Sequence, residues 1–94
     1  MNEKCPLCKQ WYDGKNNLKT KHHLYPKCWY PDSNTIVFIC WSCHAEFNHL
    51  YPQGGKRRWS KLECVKNFIN FCSTKKRKVF KIYPILKHEL LKRQ

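Results

Sequence analysis

The chain has 94 residues, room for one small domain, and carries 19 Lys and Arg against 6 Asp and Glu, a formal net charge of +13. So large a cationic excess on so short a chain calls for a polyanionic partner, nucleic acid before an anionic membrane surface. No apolar run approaches the roughly 18 residues of a spanning helix, so no membrane contact is expected. Met1 to Pro6 lacks the apolar segment of a secretory signal, which leads us to expect a reducing, cytoplasmic setting. There the seven cysteines point to metal rather than to disulfides. The aromatic residues can build a compact core, and a metal site would supply stability that so small a core lacks.

In chain order, Cys5-Pro6-Leu7-Cys8 reads as a knuckle-like turn and Asp13 to Asn17 as a polar turn. Residues 18–39 hold two short runs with strand character, the second being Thr35-Ile36-Val37-Phe38-Ile39, with an irregular loop at Pro26 to Ser33 between them. Residues 40–51 read as a short helix opened by a second cysteine knuckle. Residues 59–72 form the clearest helix, with Trp59, Leu62, Val65, Phe68, Ile69 and Cys72 at helical spacing and Ser60 with Glu63 as a capping box. Val79 to Tyr83 reads as a short strand or extended piece, and a last helix is expected after Pro84.

Cys5-x-x-Cys8 and Cys40-x-x-Cys43 supply four soft thiolates for one tetrahedral structural zinc ion. Simple zinc ribbons place about 15–20 residues between such pairs. The interval here, residues 9–39, is longer, so the site is a clasp closing the base of a folded element. Cys28, Cys64 and Cys72 are read as buried or half-buried thiols.

Within and just after the clasp lie His22-His23-Leu24-Tyr25-Pro26, Asn34, and His44 to Asn48. Hydrolysis of a phosphodiester needs a base to activate water and a cation to stabilise charge on the leaving oxygen. Histidine is the natural base near neutral pH, and His, Asn and carboxylates are natural ligands for a divalent ion with open positions. His22 and His23 are neighbours, so on a strand they point to opposite faces. His44 and Asn48 are four apart and share a helix face, which places them ahead of His49 as ligands. Each has a plainer role open to it: a packed imidazole for His22 or His23, a turn for Asn34, a buttress of the knuckle for His44, surface filler for Asn48.

At these residues the sequence resembles the HNH nuclease family. His22-His23-Leu24-Tyr25-Pro26-Lys27 is similar to its opening His-His-x-x-Pro motif, Asn34 before Thr35 to Cys40 to its central Asn and strand, and Cys40-Trp41-Ser42-Cys43-His44-Ala45-Glu46-Phe47-Asn48 to its closing Cys-x-x-Cys-His helix. The resemblance covers residues 5–51. It implies an α+β fold: a ββα-metal core clasped by the four-cysteine zinc site, with a basic helical extension over residues 56–94 of a single domain. It further implies His23 as general base, Asn34 as the residue fixing the loop that carries the base, and His22, His44 and Asn48 as ligands of a catalytic ion. Asn stands at the closing position where His is usual, and an amide oxygen favours Mg²⁺ or Mn²⁺.

The implied activity is a metal-dependent endonuclease acting on double-stranded DNA, with a homodimer or a partner protein needed for double-strand cutting. A phage or mobile-element origin follows from the small size by family analogy, which places the protein in a bacterial or phage-infected cytoplasm. Lys21, Lys27, Lys56, Arg57 and Arg58 are the expected contacts to phosphate. The alternative is a non-catalytic, zinc-stabilised nucleic-acid-binding adaptor, which needs the charge and the cysteines but not His23, Asn34 and Asn48.

Overall fold

The computed structural model describes residues 3–13, 17–53, 57–75 and 78–93. It is a small α+β arrangement: strands β1 (Lys19–His23) and β2 (Ile36–Cys40), then helices α1 (Trp41–Leu50), α2 (Lys61–Lys75), α3 (Val79–Ile82) and α4 (Pro84–Arg93). The strands form one antiparallel pair with Lys19 opposite Cys40, His22 opposite Val37 and His23 opposite Ile36. Because strand side chains alternate, Thr20, His22, Val37 and Ile39 share the inner face, and Lys19, Lys21, His23 and Phe38 the outer one. Cys40 ends β2 and caps α1, its Sγ accepting from the Cys43 N–H at 3.4 Å. The helix thus starts without a loop and packs against both strands.

The core is aromatic, as the composition suggested. Phe47 of α1 meets Phe68 and Phe71 of α2 edge-on, with centroids 5.5 and 5.4 Å apart. These rings join Leu7, Leu24, Val65 and Leu86 in one buried cluster. The expected capping box at the start of α2 is present: the Glu63 N–H donates to Ser60 Oγ at 3.1 Å, and the Ser60 N–H to Glu63 Oε1 at 3.0 Å. The helix itself begins at Lys61, so Trp59 precedes it.

Val79 to Tyr83, read from sequence as extended, is corrected by the structure. Val79–Ile82 is a helical turn, α3, closed by the Tyr83 N–H on the Val79 carbonyl. Val79 and Tyr83 are buried on the main core, and the Tyr83 hydroxyl donates to the Phe38 carbonyl at 2.7 Å. Four residues apart on a helical turn, those two side chains reach the same side, where an extended chain with period two would also align them but lengthen the span. α4 is anchored by Glu89, buried and receiving the Tyr25 hydroxyl at 2.6 Å. No described helix is long and apolar enough to cross a membrane.

Candidate metal centre and histidine cluster

The first knuckle is a tight loop tied by the Cys5 N–H on the Gln10 carbonyl and the Lys9 N–H on the Cys5 carbonyl, each at 2.9 Å. The second is the β2–α1 junction. The Cys40 N–H donates to Cys5 Sγ at 3.4 Å, so the knuckles also bond to each other. The four sulfurs of Cys5, Cys8, Cys40 and Cys43 all lie within 4.8 Å of one another. Two of the edges measure 3.9 Å (Cys5–Cys43) and 3.6 Å (Cys8–Cys40). A zinc ion with bonds of about 2.3 Å sets tetrahedral sulfurs about 3.8 Å apart. The cluster therefore has the dimensions to hold a zinc ion.

Its electrostatics point the same way. Contact with Cys43, helped by backbone N–H groups, outweighs burial and holds the Cys5 thiol down to about 4, while that contact and burial push Cys43 up. Thiolates crowded this closely repel one another, a conflict that a bound dication would remove. Cys64 and Cys72 are buried in the core, where burial pushes both thiols up to about 12 and keeps them inert. Cys28, expected to be at least half-buried, is exposed instead: it sits in the loop between the strands, outside the helix that carries the other two.

His22 lies inside. It is 2 % exposed, and its Nε2 is buried with no hydrogen-bond partner among the described residues. Its ring stacks on Phe68 at 4.6 Å, meets Phe47 edge-on at 4.8 Å and stands edge-on to the His44 ring at 5.3 Å. Burial, then the neighbouring His44 and His23, lowers its pKa to about 3, so the ring is neutral. His44 is half-buried and also shifted down, by burial and then by His23.

The tautomer of His44 follows from Thr20. The Thr20 hydroxyl donates to the Ile39 carbonyl at 2.8 Å, which uses its single proton. In its 2.9 Å contact with His44 Nδ1 the imidazole must then be the donor. His44 then carries its proton on Nδ1 and its lone pair on Nε2, the form that coordination through Nε2 requires. Thr20 was not singled out from sequence, although its position two before His22 put it on the same strand face.

The remaining candidates are dispersed. His23, half-buried, closes β1 on the opposite face from His22, just before a bend at Leu24 and Tyr25. Asn34 is exposed in the loop before β2, next to Thr35, whose carbonyl accepts the Leu24 N–H at 3.0 Å and ties the loop ends. Asn48 is exposed one turn beyond His44, its Oδ1 accepting from Gln53 Nε2 at 3.4 Å, and His49 is exposed beside it. Of the basic candidates, Lys21 is exposed on the outer face of β1, and Lys27 donates to the Pro31 carbonyl at 3.3 Å. Arg57 is held by both oxygens of Glu63 at 2.9 and 2.8 Å, and Arg58 lies 5.3 Å over the Tyr30 ring. Lys56 lies outside the described residues. No family model, curated protein or solved structure matches the chain.

Proposed function

We propose that this protein is a DNA endonuclease that hydrolyses phosphodiester bonds with a histidine base and one divalent ion, as its resemblance to HNH nucleases implies. The observation that carries the reading is the His22–His44 pair: a buried, unpartnered Nε2 on a ring 5.3 Å from a second imidazole whose lone pair is directed to Nε2 by Thr20. An unsatisfied buried polar atom costs about 1–3 kcal/mol, and a metal bond would relieve it. Burial shifts both imidazoles toward the neutral form that ligands need. Two neutral imidazoles and an amide oxygen are donors that a divalent ion accepts. His22 and His44 would hold it, with Asn48 the third candidate donor on the same helix as His44. Two imidazoles suit a transition ion better than magnesium, so manganese and nickel belong in the test beside it.

When bound, such an ion would stabilise the negative charge that develops on the phosphate and the leaving oxygen. The chain's own residues supply the rest. His23 is the base: a ring nitrogen takes the proton of the attacking water. Strand alternation separates it from His22, so the two can serve one phosphate only at the end of β1, where the strand stops and the chain bends. Lys21, two residues earlier and on the same face as His23, is placed to hold a neighbouring phosphate. The four-cysteine cluster, closing β2 onto α1, keeps His44 in register with β1.

A second reading, a zinc-stabilised binding module without catalysis, is favoured by the packing of His22 between Phe68 and Phe47, which a purely structural core residue would share. Nicking of supercoiled plasmid separates the two. The nuclease reading expects metal-dependent nicking. A zinc-loaded protein that binds DNA yet leaves it intact with magnesium, manganese and nickel would overturn it.

A further inference from the structure

Beyond the end of β1 the chain builds a cavity of about 400 Å³ from segments far apart in sequence. Tyr25 forms its floor, Trp29, Tyr30 and Asn34 come from the loop between the strands, Lys61 from the start of α2 and Lys92 from α4. Tyr25 lies two positions past His23. Trp29 and Tyr30 are half-buried aromatic residues at its wall, and the Tyr30 ring is fixed by its hydroxyl donating to the Trp59 carbonyl at 2.6 Å. Lys61 Nζ lies 5.4 Å from both the Tyr25 and Tyr30 rings. Glu89 in the wall is already engaged by the Tyr25 hydroxyl at 2.6 Å and by Arg93 at 3.5 Å. Among the described residues neither Lys61 nor Lys92 is in salt-bridge range of a carboxylate. Asp32 is the other acid of the lining and is exposed, and the lining carries three cations, Lys61, Lys92 and Arg93.

We infer that this cavity holds one unpaired nucleotide of a nucleic-acid strand, its base against the aromatic side chains and its phosphate on Lys61 and Lys92. The volume is that of a small-ligand pocket, in the range of about 300–1,000 Å³, and a base still paired within a duplex cannot enter it. Rings beside unpaired cations are the two elements by which single strands are held, stacking for the base and charge for the backbone. Ser33, Asn34 and Thr35 add polar groups for the edge of the base. The inference deepens the nuclease reading, naming a frayed, flapped or gapped strand next to the His23 end of β1 as the preferred substrate feature, but its test does not depend on cleavage.

The test is fluorescence anisotropy with the zinc-loaded full chain and no other divalent ion added. One labelled probe is a blunt duplex and the other is the same duplex with a short thymidine tail. The tailed probe is expected to bind about tenfold tighter. Lys61→Ala combined with Lys92→Ala should erase that preference and leave the affinity for blunt duplex nearly unchanged. Thymidine monophosphate should displace the tail at concentrations where inorganic phosphate does not. Equal affinity for the two probes, an equal loss on both in the double variant, or equal competition by phosphate would each overturn the inference. Failure of plasmid nicking in a protein that passes this test would sink the nuclease reading alone.

Discussion

Lys9 stands at φ 62°, in the left-handed region that a residue with a Cβ enters only at a cost. The first knuckle imposes it: the chain must turn back after Cys8 so that the Lys9 N–H reaches the Cys5 carbonyl. The left-handed conformation costs about 1–2 kcal/mol for an L-residue, and glycine gives back about 0.5–1 kcal/mol of that through its freer unfolded state. Lys9→Gly should therefore stabilise the protein by about 0.5 kcal/mol or more, raising the melting temperature by about 2–4 °C with zinc content unchanged. A lower melting temperature would mean that the Lys9 side chain contributes more than its backbone strain. Thr20 shows the same dependence on single atoms. One hydroxyl proton, donated to Ile39, decides which nitrogen of His44 is left with a lone pair.

Among the elements, α2 has the best-defined start. Ser60 and Glu63 satisfy each other's backbone N–H groups, and Arg57 holds both oxygens of the same carboxylate. Arg57 first, then the Ser60 N–H, lowers the Glu63 carboxyl to about 2. A depressed carboxylate contributes stability above its unfolded pKa, and that contribution is lost as pH falls toward 2. Ser60→Ala should cost about 1 kcal/mol at neutral pH, read by urea denaturation. An unchanged midpoint would mean that the turn before α2 is held elsewhere. This cap was legible in the sequence because it is local, as were the cysteine pairs and β2. α3 was not, since Val79, Phe80 and Ile82 carry strand propensity and only burial of Val79 and Tyr83 together selects the helical turn. Adjacency of His22 and His44 could be guessed from strand and helix periods, but the aromatic bed beneath His22 comes from α2, a distant part of the chain. The cavity was illegible for the same reason, its walls coming from three separate segments.

At the scale of the molecule, a four-cysteine cluster joins the N-terminal knuckle to the β2–α1 junction, and the core it closes is small. If the cluster holds zinc, Cys8→Ser should lose most of the metal by elemental analysis and lower the melting temperature by about 10 °C or more. Full zinc retention would remove the structural-zinc assignment. A net charge of +13 would draw any polyanion to the surface without selecting a site on it, so affinity for DNA alone would say little about chemistry. Catalysis is the central claim and His23 its most exposed point. The most direct measurement is single-turnover nicking of supercoiled plasmid by wild type and His23→Ala, side by side with manganese, with zinc content and DNA affinity measured on the same preparations. The account predicts metal-dependent nicking by wild type and a loss of about 10²–10⁴-fold in rate for His23→Ala, with no rescue by excess metal and with unchanged fold, zinc and affinity. Near-wild-type nicking by purified His23→Ala would contradict it.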